Sequence, residues 1–218
     1  MNELDVFVSV GGTATEQQES FVRAVEDRLR SEGLIPHTVG RNTFSADAPL
    51  KTIIDLMDKC SGTVVIALER VYFPTGAEKR GGPGEVPLAE IKLPTPWNQI
   101  EAAMGLSRGH PMLVIVESGI RSEGLLEHGY NWYVQRVKLE AAALNTGEFN
   151  GVLASWKQKI IQLPKKSVRD KAVTDFTVAE LVGSLKPNQL WSLLGRFGSA
   201  CRWGIRARKQ VIWKLNNA

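Results

Sequence analysis

The sequence predicts an α/β fold: a flavodoxin-like, three-layer α/β/α domain around a central, mainly parallel five-stranded sheet, with a helical C-terminal appendage. Three observations carry this. Short apolar runs of strand length alternate with segments whose apolar residues recur at helical spacing. Those runs are apolar nearly throughout, as expected for strands buried on both faces of a parallel sheet. The 218 residues suffice for one such domain and an appendage, whereas two full domains would be cramped.

Asp5 to Val10 reads as the first strand, and Gly11-Gly12-Thr13 breaks it before Thr15 opens a helix. In that helix Phe21, Val25 and Leu29 recur at i, i+4 and i+8, and Gly33 stops it. A second strand at Ile35 to Val39 leads into the polar loop Gly40 to Ala48. Leu50, Ile53, Ile54 and Met57 then mark the next helix, and Ser61-Gly62 turns the chain into the apolar run Thr63 to Leu68.

Residues 74 to 95 carry several prolines and glycines with no sustained period, the pattern of a mobile lid, a binding loop or a disordered segment. Thr95-Pro96 is an N-cap followed by proline at the first helical position, with Trp97 to Leu106 as the helix. Gly109 and Pro111 close that helix, and Met112 to Val116 is the most continuous β run in the chain. A weaker strand at Tyr133 to Leu139 and a helix at Phe149 to Gln162 complete the series. Pro164-Lys-Lys-Ser167 marks the boundary between an expected domain at 1–163 and an extension at 164–218.

Charge divides the chain. Residues 151–218 hold 13 Lys/Arg against 3 Asp/Glu, whereas residues 1–150 hold 14 against 20, so the overall +4 hides an acidic body and a basic tail. In the tail, Leu190, Trp191, Leu194, Phe197, Cys201 and Ile205 recur at helical spacing among arginines. Lys186, Pro187, Arg196 and Arg202 interrupt the apolar pattern, so the tail is expected to bind a surface rather than cross a membrane. An anionic membrane, a partner or the acidic body of another copy all fit its charge, and no specific nucleic-acid binding is expected.

Two cysteines, Cys60 and Cys201, do not make a disulfide framework, which favours a reducing compartment and a cytoplasmic location, peripheral at the membrane if the tail docks there. The start, MNELDVFVSV, lacks the basic n-region of a secretory leader. No Walker A sequence occurs, and Gly11-Gly12 lacks the remaining glycines of a dinucleotide fingerprint. It reads as a strand-to-helix turn, although in a parallel sheet it stands at the strand edge where such folds place ligands. His37, His110 and His128 lack metal-ligand spacing, so no metal is expected.

Trp97 and Glu101 stand at i, i+4, on one face of the first two helical turns, where an aromatic wall and a carboxylate can line one cleft. Near an apolar ring a carboxylate is desolvated, which raises its pKa and strengthens its attraction for a cation. From the residues alone, the plainer reading is a core tryptophan and a solvated surface glutamate.

From Asp5 onward the chain resembles a TIR (Toll/interleukin-1 receptor) domain of the bacterial TIR-like kind. DVFVSV resembles the family's first strand, Gly33 to Val39 its second, Gly40 to Pro49 its BB loop, and Asp55 to Leu68 its second helix and third strand. The W-x-x-x-E pattern of Trp97 and Glu101 stands where the family carries its catalytic glutamate, and AAMGLSRGHPMLVIVE resembles the helix, turn and fourth strand that follow. The resemblance covers about residues 5 to 162. Residues 69–95 depart from it through a long glycine-rich segment, and Arg41, Asn42 and Phe44 replace the residues common early in the BB loop.

The resemblance implies an enzyme that cleaves NAD, as a glycohydrolase or cyclase, and acts on self-association in bacterial defence or signalling. NAD would be its substrate, with no cofactor. Glu101 would be the catalytic residue and Trp97 the pocket wall. Ser9, Gly11 and Gly12 would approach the substrate from the first strand's end, and Arg41 and Phe44 from the BB loop of the same or a neighbouring protomer. The alternatives are a catalytically silent interaction module and a nucleotide-signal binder resembling nucleoside deoxyribosyltransferase-like relatives.

Overall fold

The structure, a computed structural model, describes residues 3–128 and 132–163. The extension at 164–218, with its basic amphipathic segment and expected docking surface, lies outside the described residues. The described fold belongs to a unit that ends at Leu163.

The elements run β1 (Leu4–Val10), α1 (Glu16–Ser31), β2 (Leu34–His37), α2 (Pro49–Met57), β3 (Thr63–Ala67), β4 (Val71–Glu78), β5 (Val86–Leu93), α3 (Pro96–Ser107), β6 (Met112–Glu117), β7 (Val134–Val137) and α4 (Gly147–Gln162). The main sheet has the order β2-β1-β3-β6-β7, and every neighbouring pair in it is parallel. This is the flavodoxin-like α/β fold, with its topological switch point between the C-terminal ends of β1 and β3.

Side chains along each strand alternate between two cores, because successive Cβ atoms point to opposite faces. Val6 and Val8 of β1, Val64 and Ile66 of β3, and Leu113 and Ile115 of β6 pack with Phe21, Val25 and Leu29 of α1 and Leu153, Trp156 and Ile160 of α4. On the other face Phe7 meets Ile53 and Met57 of α2, while Val65, Ala67, Val114 and Val116 meet Ala102 of α3. Each fully buried aliphatic or phenyl side chain contributes roughly 1.5–3 kcal/mol, so these two layers dominate the stability of the fold. Ser9 has the parity of Phe7 and therefore lies on the α2/α3 side.

Helix starts are set by threonines. Thr15, Thr95 and Thr146 each cap a helix by accepting a backbone N–H, from Gln18, Trp97 and Phe149 respectively. α3 lies unusually close to β3: a Cβ on Gly105 would sit 2.5 Å from Thr63 Oγ1, so only glycine permits this approach. Among the described residues no helix is long and apolar enough to cross a membrane.

One expectation is corrected. The segment 74–95 is not an irregular loop; most of it belongs to a two-stranded antiparallel ribbon in which β4 pairs with β5, from Val71↔Leu93 to Glu78↔Val86. Nearly all of β4 and half of β5 are exposed, and neither strand has a buried residue. A ribbon that packs on no core needs neither an apolar run nor an alternation, so periodicity could not reveal it. Pro74 and Pro87 are tolerated because each strand of a two-stranded sheet has an unpaired edge. Pairs Glu78–Arg121 and Glu69–Lys92, each at 2.6 Å, tie the ribbon to the domain.

Candidate active site

The switch point collects Ser9 and the Gly11-Gly12 turn from the end of β1, Leu68 to Arg70 from the end of β3, and Thr95 to Glu101 from the start of α3. Gly11 is required there: a Cβ on it would approach Thr95 Cγ2 to 2.9 Å. α3 begins at this edge and turns Asn98, Glu101, Ala102 and Gly105 inward.

Glu101 is only 8% exposed. Burial pushes its carboxyl up to about 7, opposed by a hydrogen bond from the Ser9 hydroxyl, which favours the ionised form. No cation contributes to its shift. Ser9 is in turn held by Asn98, whose Nδ2 donates to Ser9 Oγ at 3.0 Å, to the Ser9 carbonyl at 3.3 Å and to the Ile66 carbonyl at 3.4 Å. Two carbonyls facing the same amide atom can only accept, which fixes the amide orientation. The three residues form a relay in which Asn98 donates to Ser9 and Ser9 donates to Glu101.

The relay leaves one atom over. Asn98 Oδ1 is buried and has no hydrogen-bond partner. Asn98 lines a crevice with Gly11, Gly12, Leu68, Glu69, Arg70 and Thr95, whose volume of about 10 Å³ suits roughly one water. A larger hollow of about 290 Å³ lies at Gln17, Glu117, Ser118, Lys138, Leu139 and Glu140, but it contains none of the sequence-predicted site residues. The candidate site is placed at this edge because the buried Glu101 carboxylate, the orphaned Asn98 acceptor and the switch point lie together there; Asn98 lines the smaller crevice, whereas Ser9 and Glu101 lie behind it and do not.

Of the residues singled out in the sequence, the structure brings Ser9, Gly11, Gly12 and Glu101 to this edge. Trp97 is 44% exposed beside it, the reverse of the core-tryptophan, solvated-glutamate reading of this pair. Phe44 is 77% exposed on its loop and does not line the crevice. Arg41 is turned to α1, where it grips Glu19 through two bonds of 2.9 and 3.0 Å and reaches Glu26 at 3.3 Å.

Asn98 and Arg70 were missed. Asn98 stands three residues before Glu101 and so shares its helical face, a signal that spacing alone contained. Arg70 stands at the start of the segment 69–95, which departs from the family pattern. Histidines serve other ends: His37 Nε2 pairs with Asp5 at 2.7 Å and His110 Nδ1 with Thr63 Oγ1 at 2.9 Å. Among the described residues no group of three or more His, Cys, Asp and Glu could hold a metal.

No family model matches the chain, and no curated protein matches it. Among solved structures, the CMP N-glycosidase BcmB of Clostridium botulinum aligns over 52% of this chain and 70% of its own, at 15% identity and a TM-score of 0.33.

Proposed function

We propose that this protein is a TIR-like N-glycosidase that breaks the bond between nicotinamide and ribose in NAD. The observation that carries the reading is Glu101: a carboxylate without a cation, desolvated by burial and oriented by Ser9, at the sheet edge where α/β folds bind ligands.

In the proposed reaction the glycosidic C–N bond breaks with its electron pair going to the ring nitrogen, which turns the nicotinamide cation into neutral nicotinamide. The ribose carbon left behind is an oxocarbenium cation, and the Glu101 carboxylate stabilises it electrostatically. Water then adds to that carbon and passes its proton to Glu101, giving ADP-ribose, or the adenine attacks instead and closes a ring. Only ionised Glu101 can do this. Its carboxyl near 7 leaves much of the free protein protonated, and a bound nicotinamide cation favours ionisation. Trp97 supplies a wall for the ring, and self-association opens the narrow crevice and supplies Phe44 from a neighbour, the activating step in bacterial defence or signalling.

The test is nicotinamide release by the purified chain at high protein concentration. Release is expected, and Glu101→Gln should reduce it at least ~10²-fold, the scale on which one transition-state stabiliser acts. No release by the wild type, with Glu101→Ala silent in cells, would sink the enzyme.

A second reading is favoured by one observation, the crevice with room for about one water. A closed site suits a catalytically silent TIR-like interaction module. Such a protein would self-associate equally well with Glu101→Gln, and neither form would release nicotinamide.

A further inference from the structure

We propose that the apolar face of the β4–β5 ribbon docks on the same face of a second copy of this chain, the root of each ribbon lying on the tip of the other. Residues 69–95 depart from the TIR pattern, so this surface is the chain's own, and the contact does not depend on the glycosidase reading.

The register of the ribbon fixes which side chains share a face, because residues opposite one another in an antiparallel pair point the same way and the direction alternates along each strand. Val71↔Leu93, Phe73↔Ile91, Thr75↔Ala89 and Ala77↔Pro87 therefore form one face, with no charged group on it and a single hydroxyl. The other face carries Lys92 and Glu78, which reach Glu69 and Arg121 of the domain. The ribbon is thus tied down by its polar face, and the apolar one is left outward. Val71 is 40% and Phe73 48% exposed, and no ribbon residue belongs to a hydrophobic core among the described residues. A lone two-stranded ribbon is marginal in water, so an apolar face along its whole length calls for a cover.

Shape and charge name a second copy as that cover. The face tapers, with the large Val71, Leu93, Phe73 and Ile91 at the root and the smaller Thr75, Ala89, Ala77 and Pro87 toward the turn. Two such faces stacked about a two-fold axis, root on tip, set Phe73 and Ile91 over Thr75 and Ala89 of the copy, and Val71 and Leu93 over Ala77 and Pro87. Large side chains then meet small ones at every level, and the layers keep the even spacing of packed sheets, about 10 Å. Root on root would crowd one end and leave the other empty. At the turn, the Lys79 and Arg80 side chains make no hydrogen bond or ion pair among the described residues. Root-on-tip stacking carries these two cations to the neighbour's domain, whose residues 1–150 hold 20 Asp/Glu against 14 Lys/Arg.

A bilayer fits the same face poorly. The tip would have to enter the lipid first, yet the tip holds Lys79, Arg80 and Glu85, and the large apolar side chains stand at the root. Area sets the strength of the contact: strands of eight residues make a face about 27 Å long and ~10 Å wide, roughly 300 Å² per copy. A standard stable interface buries about 800 Å² per partner, so this dimer is weak and forms at high concentration.

The test is sedimentation equilibrium of the full chain without nucleotide, from about 5 to about 500 µM. The wild type should run as a monomer at the low end and move toward the dimer mass at the high end. Phe73→Asp and Thr75→Lys each put a charge into the face and should weaken association at least tenfold, with thermal melting unchanged because both positions are exposed. An equal mixture of the two variants should recover it: the new carboxylate then faces the new ammonium, and the second Phe73–Thr75 contact of the mixed dimer stays native. No rise in mass at the highest concentration, or a rise unchanged in Phe73→Asp, would overturn the proposal. So would a mixture no better associated than its components, since the faces would then not meet root on tip. A wild type that stays monomeric but binds phosphatidylglycerol vesicles, and loses that binding in Phe73→Asp, would assign the face to lipid instead.

Dimerisation through the ribbon in a chain that releases no nicotinamide keeps the contact and removes the glycosidase. Nicotinamide release by a chain that stays monomeric at every concentration keeps the glycosidase and removes the contact.

Discussion

Glu19 and Glu101 are the same side chain on helices that flank the same sheet edge, and their surroundings drive them in opposite directions. Glu19, on α1, receives two hydrogen bonds from Arg41 and one from Thr13, and its carboxyl is held down to about 2. Glu101, on α3, has only the Ser9 hydroxyl against its burial, and its carboxyl is pushed up to about 7. The difference separates a carboxylate that is already paired from one that the proposed reading assigns to a ligand. A paired anion has already met its cation, whereas a desolvated one gains most when a cation arrives.

The largest effect expected from this contrast is on catalysis. Glu101→Gln should lower nicotinamide release at least ~10²-fold, because the amide keeps the shape and loses the charge. Glu19→Gln, measured in the same assay, should stay within a few-fold of wild type. Equal losses in the two variants would break the comparison, since a fold-wide effect would then explain both.

Stability against pH should distinguish them next, with opposite signs. The Glu101 carboxyl lies higher folded, at about 7, than its ordinary value of 4.5, so the folded state binds the extra proton between those values. The stability it contributes is present below about 4.5 and lost as pH rises through about 7. Glu101→Gln should therefore stabilise the chain at pH 8, by up to roughly 3 kcal/mol at ~1.4 kcal/mol per pH unit, and by little at pH 4. Urea titrations at both pH values read this directly, and a variant less stable at pH 8 would contradict it. For Glu19 the sign reverses: its contribution is present above 4.5 and lost as pH falls toward about 2.

How much of this was legible in the sequence follows from the same physics. β1, β3 and β6 declared themselves because burial on both faces demands unbroken apolar runs, and α1 because Phe21, Val25 and Leu29 had to meet one core. Residues Leu34–His37 and Val134–Val137 were found with ends shifted by a residue or two, since strand ends carry little pattern. The β4–β5 ribbon was illegible because it packs on no core. At the candidate site, spacing put Trp97 and Glu101 on the first two turns of α3, but it could not say that Glu101 would be buried and Trp97 exposed. That depends on Gly105 drawing α3 against Thr63, a tertiary contact. Arg41 was expected at the substrate, and its two partners seven residues apart on α1 became visible only once the loop was folded onto that helix.

A smaller effect is expected at that loop. Arg41→Ala removes a bidentate, partly buried pair with Glu19 and a contact with Glu26, and should destabilise the chain by about 1 kcal/mol at pH 7. The loss should fade toward pH 2, where Glu19 is itself protonated in part. Thermal melts of wild type and variant at the two pH values would show it, and a pH-independent difference would mean that packing, not charge, holds the loop.

The smallest effect isolates the one bond that sets Glu101 apart from a carboxylate in bare hydrocarbon. Ser9→Ala removes the hydroxyl that donates to Glu101 and accepts from Asn98, while Asn98 Nδ2 keeps the Ser9 and Ile66 carbonyls as acceptors. The relay is cut, but the amide stays satisfied. Because the Ser9 bond favours the ionised form, its loss should push the Glu101 carboxyl further up. The midpoint of the pH–rate profile for nicotinamide release should then move to the alkaline side, with the plateau at high pH changed less than the rate at pH 7. A midpoint that stayed in place would show that Ser9 only packs beside Glu101, and a move to the acid side would reverse the assigned direction of the bond. In the first case the carboxylate would owe its state to burial alone, and Asn98 would hold Ser9 for reasons of structure rather than to tune the charge.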